Sequence, residues 1–481
     1  MVHPRPDESL ADFALGIASQ LGAGYCEVRI ESTTSNGFIL KNGVPQIAGF
    51  DRLSGISVRF VVDNALGFMA TNHLDRAKLK SQLGKAVKIT CLTASRSEKI
   101  SLADEKSVHA DYSVKEKEPL SGMKPREKLS ILLDAEKAVL DTKANVPSRY
   151  LSLSDFVREK LFMNSEGSVI RSRIPRTSFN YLITVAHGDK SCQRYQQYGA
   201  SGGFEALNPD LPAIMRSEVL AADNNLRSGR LPPEGNVDLI CAPNVVGIMV
   251  HESVGHPYEA DRILGREAAQ AGESFVTKEM LNTRIGSEAV NVSDDPTLPS
   301  SFGLYLYDDE GVQARKKRLI SKGIITEFLH NRETAASLGI KSNAASRAAS
   351  FEHEPIIRMS NTFMEPGSFS EEELIEGVKL GVYIKNFMEW NIDDRRLNQK
   401  YVGSEAYLIK NGRLTTPVFK PMIEIDTPRL YSSIDAVAKN LEFSAGTCGK
   451  GEPMQGIPVT MGGPSIRLRN IRLAKSIPND Q

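Results

Sequence analysis

The sequence lacks an excess of either charge: 59 Lys and Arg face 59 Asp and Glu over 481 residues, a formal net charge of zero at pH 7. Proteins that bind duplexes or anionic membranes usually carry a basic domain, because neutralising phosphates supplies much of their affinity, so no nucleic-acid or membrane partner is expected. The short basic run Arg315, Lys316, Lys317, Arg318 sits beside an acidic turn and is expected to be a solvated hairpin. Cysteine is scarce, with five residues (Cys26, Cys91, Cys192, Cys241 and Cys448), an odd number and no C-x-x-C pair. That usage fits reduced thiols in a cytoplasmic compartment rather than a disulfide framework. Long apolar runs are also missing. The longest stretch, Val237 to Val250, is broken by Asp238, Pro243 and Asn244 and is shorter than the ~20 residues that cross a bilayer. Met1 to Pro6 shows no basic-then-apolar signal pattern. Tryptophan occurs once, at Trp390, where packing or a site rim is the expected role.

What is present is ordinary globular material, 41% hydrophobic and 25% charged, long enough for roughly two or three domains. Ser9 can cap a helix with Leu10, Phe13, Ala14, Ile17 and Leu21 at helical spacing and Gly22 as the stop. Strands are expected over Cys26 to Ile30, Phe38 to Lys41, Val44 to Phe50 and Ile56 to Val62, with turns at Asn42-Gly43 and Asp63-Asn64. A helix from Asp75 to about Cys91 follows. Thr93 to Lys124 is polar and aperiodic, an expected exposed connection, and Pro125 opens another helix. Strands are expected through Ser148 to Ala206 and a helix from Asp210 to Arg227. The Gly/Pro cluster between Arg227 and Gly235 marks the clearest boundary. Beyond it, Leu304 to Tyr307, Leu319 to Ile320 and Ile324 to Leu329 are expected strands. Ser370 and Glu373 form a capping box for a helix through Val378 to Gly381. Asn411-Gly412 should turn a hairpin, and the terminal strand Ile466 to Leu473 slips in alternation near Asn470, which suggests a bulge. The expected class is therefore α+β, with an N-terminal mixed α/β domain over 1–230 and a β-rich C-terminal domain over 231–481.

The chemistry concentrates in His251-Glu252-Ser253-Val254-Gly255-His256. Two imidazoles and a carboxylate this close suit a zinc peptidase, in which the histidines hold the metal and the glutamate takes a proton from the attacking water. The familiar spacing is H-E-x-x-H, and here one residue is added. Residues four apart on an ideal helix differ by about 40° in azimuth, but residues five apart by about 140°. Shared metal binding thus requires a distortion. Gly255 and Pro257 can supply it, and a π-bulge or helix end is expected within Val254 to Pro257. For the third ligand the candidates by type are Cys448, His330, His353 and any acidic residue. Cys448 lies in a glycine-rich turn, where nearby Lys450 would favour the thiolate.

Several segments, in order, resemble the TldD/PmbA family. They are His251 to Pro257, Asp308-Asp309-Glu310-Gly311, Arg358-Met359-Ser360-Asn361-Thr362, Gly403-Ser404-Glu405-Ala406-Tyr407 with Asn411-Gly412, and Gly446-Thr447-Cys448-Gly449-Lys450. The resemblance is specific from about Val237 to Ile471, and covers the first half only in arrangement. It implies that His251, His256 and Cys448 bind Zn2+, that Glu252 is the general base, and that residues 231–481 form the metalloprotease domain. It further implies a cytoplasmic peptidase acting on extended or unfolded peptides, such as leader segments of modified peptides or unstructured small proteins. The chain would act as a homodimer, or as a heterodimer with a related subunit lacking the metal motif. Alternatives are a cysteine peptidase with Cys448 as nucleophile and a histidine base, and a non-catalytic peptide-binding subunit of such a complex. Gly451 to Gly456 and the charged stretch holding Asp393, Asp394, Arg395 and Arg396 depart from the family pattern. Arg358 and Asn361 could contact a substrate backbone, although a strand-end arginine and a turn asparagine are commonly structural.

Overall fold

The computed structural model describes residues 7–207, 210–267 and 273–474. Asp7 caps α1 (Glu8–Gln20) by accepting from Ser9 N at 2.9 Å, so the cap lies two residues before the serine expected to provide it. Leu10, Ala14 and Ile17 turn inward as their spacing requires. The strands that follow are longer than the apolar pattern suggests. β1 (Tyr25–Lys41) and β2 (Val44–Val62) run as one hairpin about Asn42 and Gly43, whose φ values of 48° and 79° fit a turn that twists with the strands. The polar stretch Glu31 to Gly37, unassigned by periodicity, pairs with β2 on one side and with β5 (Ser148–Asn164) on the other. With ladder bonds on both sides, the Ser/Thr-rich centre needs no apolar face to stay extended.

β3 (Ala65–Thr71), β6 (Val169–His187) and β7 (Lys190–Ser201) complete most of a seven-stranded sheet. α2 (Arg76–Thr93), capped by Asp75, packs with α1 beside β1 to β3. α3 (Pro125–Asp141) and α4 (Leu211–Ser228) cover the other end. The connection at Thr93 to Lys124 holds an unexpected strand, β4 (His109–Ser113), which pairs in parallel with Val169 to Arg173 of β6. β7 takes the remainder of that strand's edge, Arg176 to His187. β4 is polar and alternates between exposed and half-buried, which leaves little hydrophobic signal to read.

After α4 the chain builds two further sheets. The strands in order are β8 (Asn236–Cys241), β9 (Val292–Asp294), β10 (Lys317–Ser321), β11 (Ile324–Ile325), the two-residue pair β12 (Ser346–Arg347) and β13 (Ile356–Ile357), and β14 (Asn361–Met364). There follow β15 (Leu380–Ile392), β16 (Asn398–Lys410), β17 (Arg413–Pro417), β18 (Met422–Asp426), β19 (Ile434–Val437), β20 (Glu442–Lys450), β21 (Gln455–Gly463) and β22 (Ile466–Ala474). One sheet runs β11-β10-β9-β14-β21-β20 and the other is built on β15-β8-β22-β18-β16-β17. The mixed α+β class is the one expected.

Several local expectations change. Leu304 to Tyr307 is not a strand: Tyr305 is buried with Val312, Ala314 and Ala344, and only Tyr307 bridges, to Gln313. The strand expected from Ile324 stops at Ile325. The capping-box helix ends at Glu376 with Gly377 as its cap, not at Gly381. Gly381 lies in β15, where a Cβ would come within 2.4 Å of the Asp238 carbonyl oxygen. The bulge near Asn470 is present, with φ of 60° and a register shift between Leu468 and Ile471. The basic run is not simply solvated either. Lys317 is fully buried 2.9 Å from Asp294, while Arg315 and Lys316 pair with Glu327 and Glu365.

The acidic turn Asp308 to Gly311 clamps the first sheet to the rest. Arg59 of β2 reaches Glu310 at 2.6 Å, and Lys160 of β5 pairs with Asp309. Arg176 of β6 donates to the carbonyl oxygens of Phe302 and Leu304 at 2.7 and 2.8 Å.

Candidate metal centre

α5 (Pro243–Val250) is apolar and buried, and it carries the chain into the site without a break. At His251 the α-helix gives way to a π-turn through Gly255, closed by the His256 N–H donating to the His251 carbonyl, and a 3-10 turn follows over His256 to Tyr258. Five residues now span one widened turn, so His251 and His256 share a face. Their ring centroids are 5.0 Å apart and the planes nearly perpendicular, at 83°. The distortion falls where the spacing demanded one. Gly255 is required because a Cβ would lie 1.8 Å from the Met359 Sδ, and Pro257 has no N–H with which to continue the helix. Ser253 Oγ fastens the turn by donating to the Met249 carbonyl at 2.5 Å and meeting Tyr431 Oη at 2.8 Å.

Cys448 approaches from β20, with its Sγ 3.3 Å from His256 Nε2. One donor atom each from His251, His256 and Cys448 falls within 4.8 Å of the others, and all three side chains are buried. His251 Nδ1 is buried without a hydrogen-bond partner among the described residues. Two buried imidazoles and a thiol whose donor atoms converge in this way suit a metal that accepts nitrogen and sulfur donors. Burial pushes the Cys448 thiol up, but His256, His251 and Arg358 together bring it well below its usual value. Burial pushes His256 down, and Cys448 and Glu259 more than offset this, raising it to about 9.

A layer of charge behind the ligands was not evident from sequence. Glu259 is fully buried, and its carboxylate stands 3.1 Å from His256 Nδ1, orienting the imidazole so that Nε2 faces Cys448. Arg262 and Lys450 hold the same carboxylate at 3.0 and 3.1 Å, and Lys450 also reaches Asp261 and Glu267. Lys450 therefore supports the site through Glu259 and not, as expected, beside the thiol. The spacing His256-x-x-Glu259 is the only mark this residue leaves in the sequence. Arg358 is fully buried and donates to the Cys448 carbonyl and to that of Gln455, while Asn361 donates to the Asp295 carbonyl at 2.6 Å. Both are structural braces, and neither lines the cavity.

His330 and His353 are not brought to the site. His353 Nδ1 meets Ser350 Oγ at 3.0 Å. His330 is buried beside Phe328, and burial lowers its pKa from 6.5 to about 4. The unfolded chain binds this proton more readily, so stability is fully present above pH 6.5 and is lost as pH falls towards 4. At about 1.4 kcal/mol per tenfold change in proton affinity, the loss amounts to about 3 kcal/mol. Denaturant unfolding at pH 7 and pH 4 should therefore show a drop smaller by about that amount for His330→Gln. Equal drops for variant and parent would refute this.

Glu252 is nearly buried and lines the same cavity, of about 280 Å³, as His251, His256 and Cys448. Its Oε2 accepts from Arg396 Nη1 at 2.6 Å. Trp390 and Phe387 form part of the rim, packed edge to face at 5.5 Å. The opposite wall belongs to the first sheet: Gln196 of β7 donates to Ser444 Oγ at 2.8 Å, and Gln197 to Thr447 Oγ1 at 3.3 Å. β7 and β20, each ending a ladder of its own sheet, face one another there with no ladder between them.

Family models cover most of the chain. The PmbA/TldA metallopeptidase domain 1 matches residues 26–91, the central domain residues 118–224 and the C-terminal domain residues 234–475. A metalloprotease of Methanocaldococcus jannaschii is 34% identical over 449 residues, covering 92% of this chain and 95% of the relative. The zinc metalloprotease TldD homolog of Saccharolobus solfataricus is 27% identical, covering 95% of this chain and 98% of its own. The crystal structure of TldE from Thermococcus kodakarensis shares the fold, with a TM-score of 0.74 at 18% identity over 97% of this chain and 99% of that one. No helix among the described residues is long and apolar enough to cross a membrane. On a domain series that spans the sequence and a relative matched along nearly its whole length, the chain belongs to the PmbA/TldA metallopeptidase family.

Proposed function

We propose that the chain is a zinc peptidase that hydrolyses extended or unfolded peptides, with leader segments of modified peptides and unstructured small proteins as the substrate class. The carrying observation is the π-turn that sets His251 and His256 on one face opposite Cys448, with Glu252 in the same cavity wall. The two imidazoles and the thiolate would hold the ion and leave one position open. Zinc, when bound, supplies a Lewis acid that activates water and polarises the scissile carbonyl. Glu252 takes the proton from the attacking water and delivers it to the leaving amine. Glu259 keeps His256 in the orientation that presents Nε2. The unpaired main chain of β7 and β20 at the cavity favours a substrate held as an added strand, which selects for extended backbone more than for side chains. The working unit is a homodimer, or a heterodimer with a related subunit lacking the metal motif.

A second reading has one observation in its favour. The depressed Cys448 and raised His256 resemble the thiolate–imidazolium pair of a cysteine peptidase. Chelation separates the two. Dialysis against a zinc chelator should abolish cleavage of an unfolded peptide library, and stoichiometric zinc should restore it. Activity that survives complete metal removal would favour the thiol enzyme.

A further inference from the structure

The carboxylate of Glu252 is next in sequence to His251 and lines the same cavity, yet it is not part of the compact donor set formed by His251, His256 and Cys448. Its Oε2 is engaged by Arg396 instead, and both side chains are only 10% exposed. The arginine is firmly placed. Its backbone lies in the left-handed region, with φ of 65°, at the tip of the β15–β16 hairpin. Asp393 shapes that tip, accepting from Leu397 N at 2.8 Å and Asn398 N at 3.0 Å, while the Asp393 carbonyl takes the Arg396 N–H at 2.9 Å. The Arg395 carbonyl accepts from Phe275 N at 2.8 Å, and the Arg396 carbonyl from Thr427 Oγ1 at 3.0 Å. A non-glycine residue held at positive φ by this many bonds marks a position the fold over-determines.

We propose that Arg396 is a positioning residue that keeps Glu252 out of the metal's coordination shell, so that it serves as a base and does not fill the open place as a fourth ligand. The proposal rests on the zinc-site reading above. A carboxylate beside two imidazoles and a thiolate is itself a competent zinc ligand, and a site closed by four protein donors is structural and not catalytic. A guanidinium bonded to one carboxylate oxygen offsets that tendency, because moving the carboxylate to the metal would break a charge-assisted hydrogen bond between two largely buried side chains.

The test uses the full-length protein, stripped of metal and titrated with Co2+, whose visible spectrum reports coordination number and ligand type. Arg396→Met keeps the aliphatic stem and removes the donors. Its cobalt complex should show a changed ligand-field spectrum and an affinity altered by about tenfold or more, the scale of neighbouring-shell effects. Adding Glu252→Gln to that variant should return the parent spectrum, and Arg396→Lys should keep it. If Arg396→Met does not fold, Arg396→Gln takes its place. A parent-like spectrum and affinity in Arg396→Met, or a change that persists in the double variant, would overturn the proposal. Failure of the zinc-site reading looks different: the parent protein would give no thiolate-to-cobalt charge-transfer band, or the band would survive Cys448→Ser.

Discussion

Glu252→Gln should lower peptide turnover by about 10²- to 10⁴-fold, the usual contribution of a positioned general base, while the protein still binds about one metal ion per chain. The amide keeps the shape of the carboxylate and can accept from Arg396 through its oxygen, but it cannot take a proton from water. Metal content should hold if the ion is bound, as proposed, by His251, His256 and Cys448, because Glu252 stands apart from that set. Elemental analysis, thermal unfolding and kcat on the same preparation check all three statements. Normal turnover would remove Glu252 from the mechanism, and loss of metal would make it a ligand.

The second large effect concerns Cys448. Structural zinc sites bind with about 10–16 kcal/mol, or roughly 3 kcal/mol for each of four ligands, so Cys448→Ser should weaken zinc binding by about 10²- to 10³-fold. The strand should stay in place, since Arg358 bonds the Cys448 carbonyl and not its sulfur, and β20 keeps its ladder with β21. Activity should therefore follow occupancy and return in part as free zinc is raised. A nucleophilic cysteine predicts a different outcome, in which no zinc concentration rescues the serine variant. Competition with a chromophoric chelator gives the affinity, and a peptide assay over the same zinc range gives the occupancy dependence.

Much of the site was legible because it is local. His251, Glu252 and His256 fall within six residues, and the mismatch between their spacing and a regular helix called for a distortion that Gly255 and Pro257 could provide. Cys448 could be named as a candidate by residue type, and was singled out only through family resemblance. The supporting charges were hidden for a different reason. Arg396 meets Glu252 across 144 residues, and no local pattern announces a pairing of that range. Lys450 shares a strand face with Cys448, two residues away, but a lysine's long stem lets its ammonium reach Glu259, Asp261 and Glu267 instead. In the fold, helices with caps and apolar faces were readable to within a few residues. The polar middle of β1 and the edge strand β4 were not, because main-chain pairing holds them and side-chain pattern does not.

One wall of the cavity is β7, fixed to a sheet that is complete before residue 202, and the other combines the π-turn at His251–Gly255 with β20 at Glu442–Lys450, far later in the chain. The two meet through Gln196, Gln197, Ser444 and Thr447, and the acidic turn Asp308 to Gly311 ties the same sheet to the rest of the chain at Arg59 and Lys160. The aperture is thus a property of tertiary assembly and is encoded in neither half. A chimera joining the front of one relative to the back of another can inherit every ligand intact and still present an opening of the wrong width, so the two halves must diverge in step.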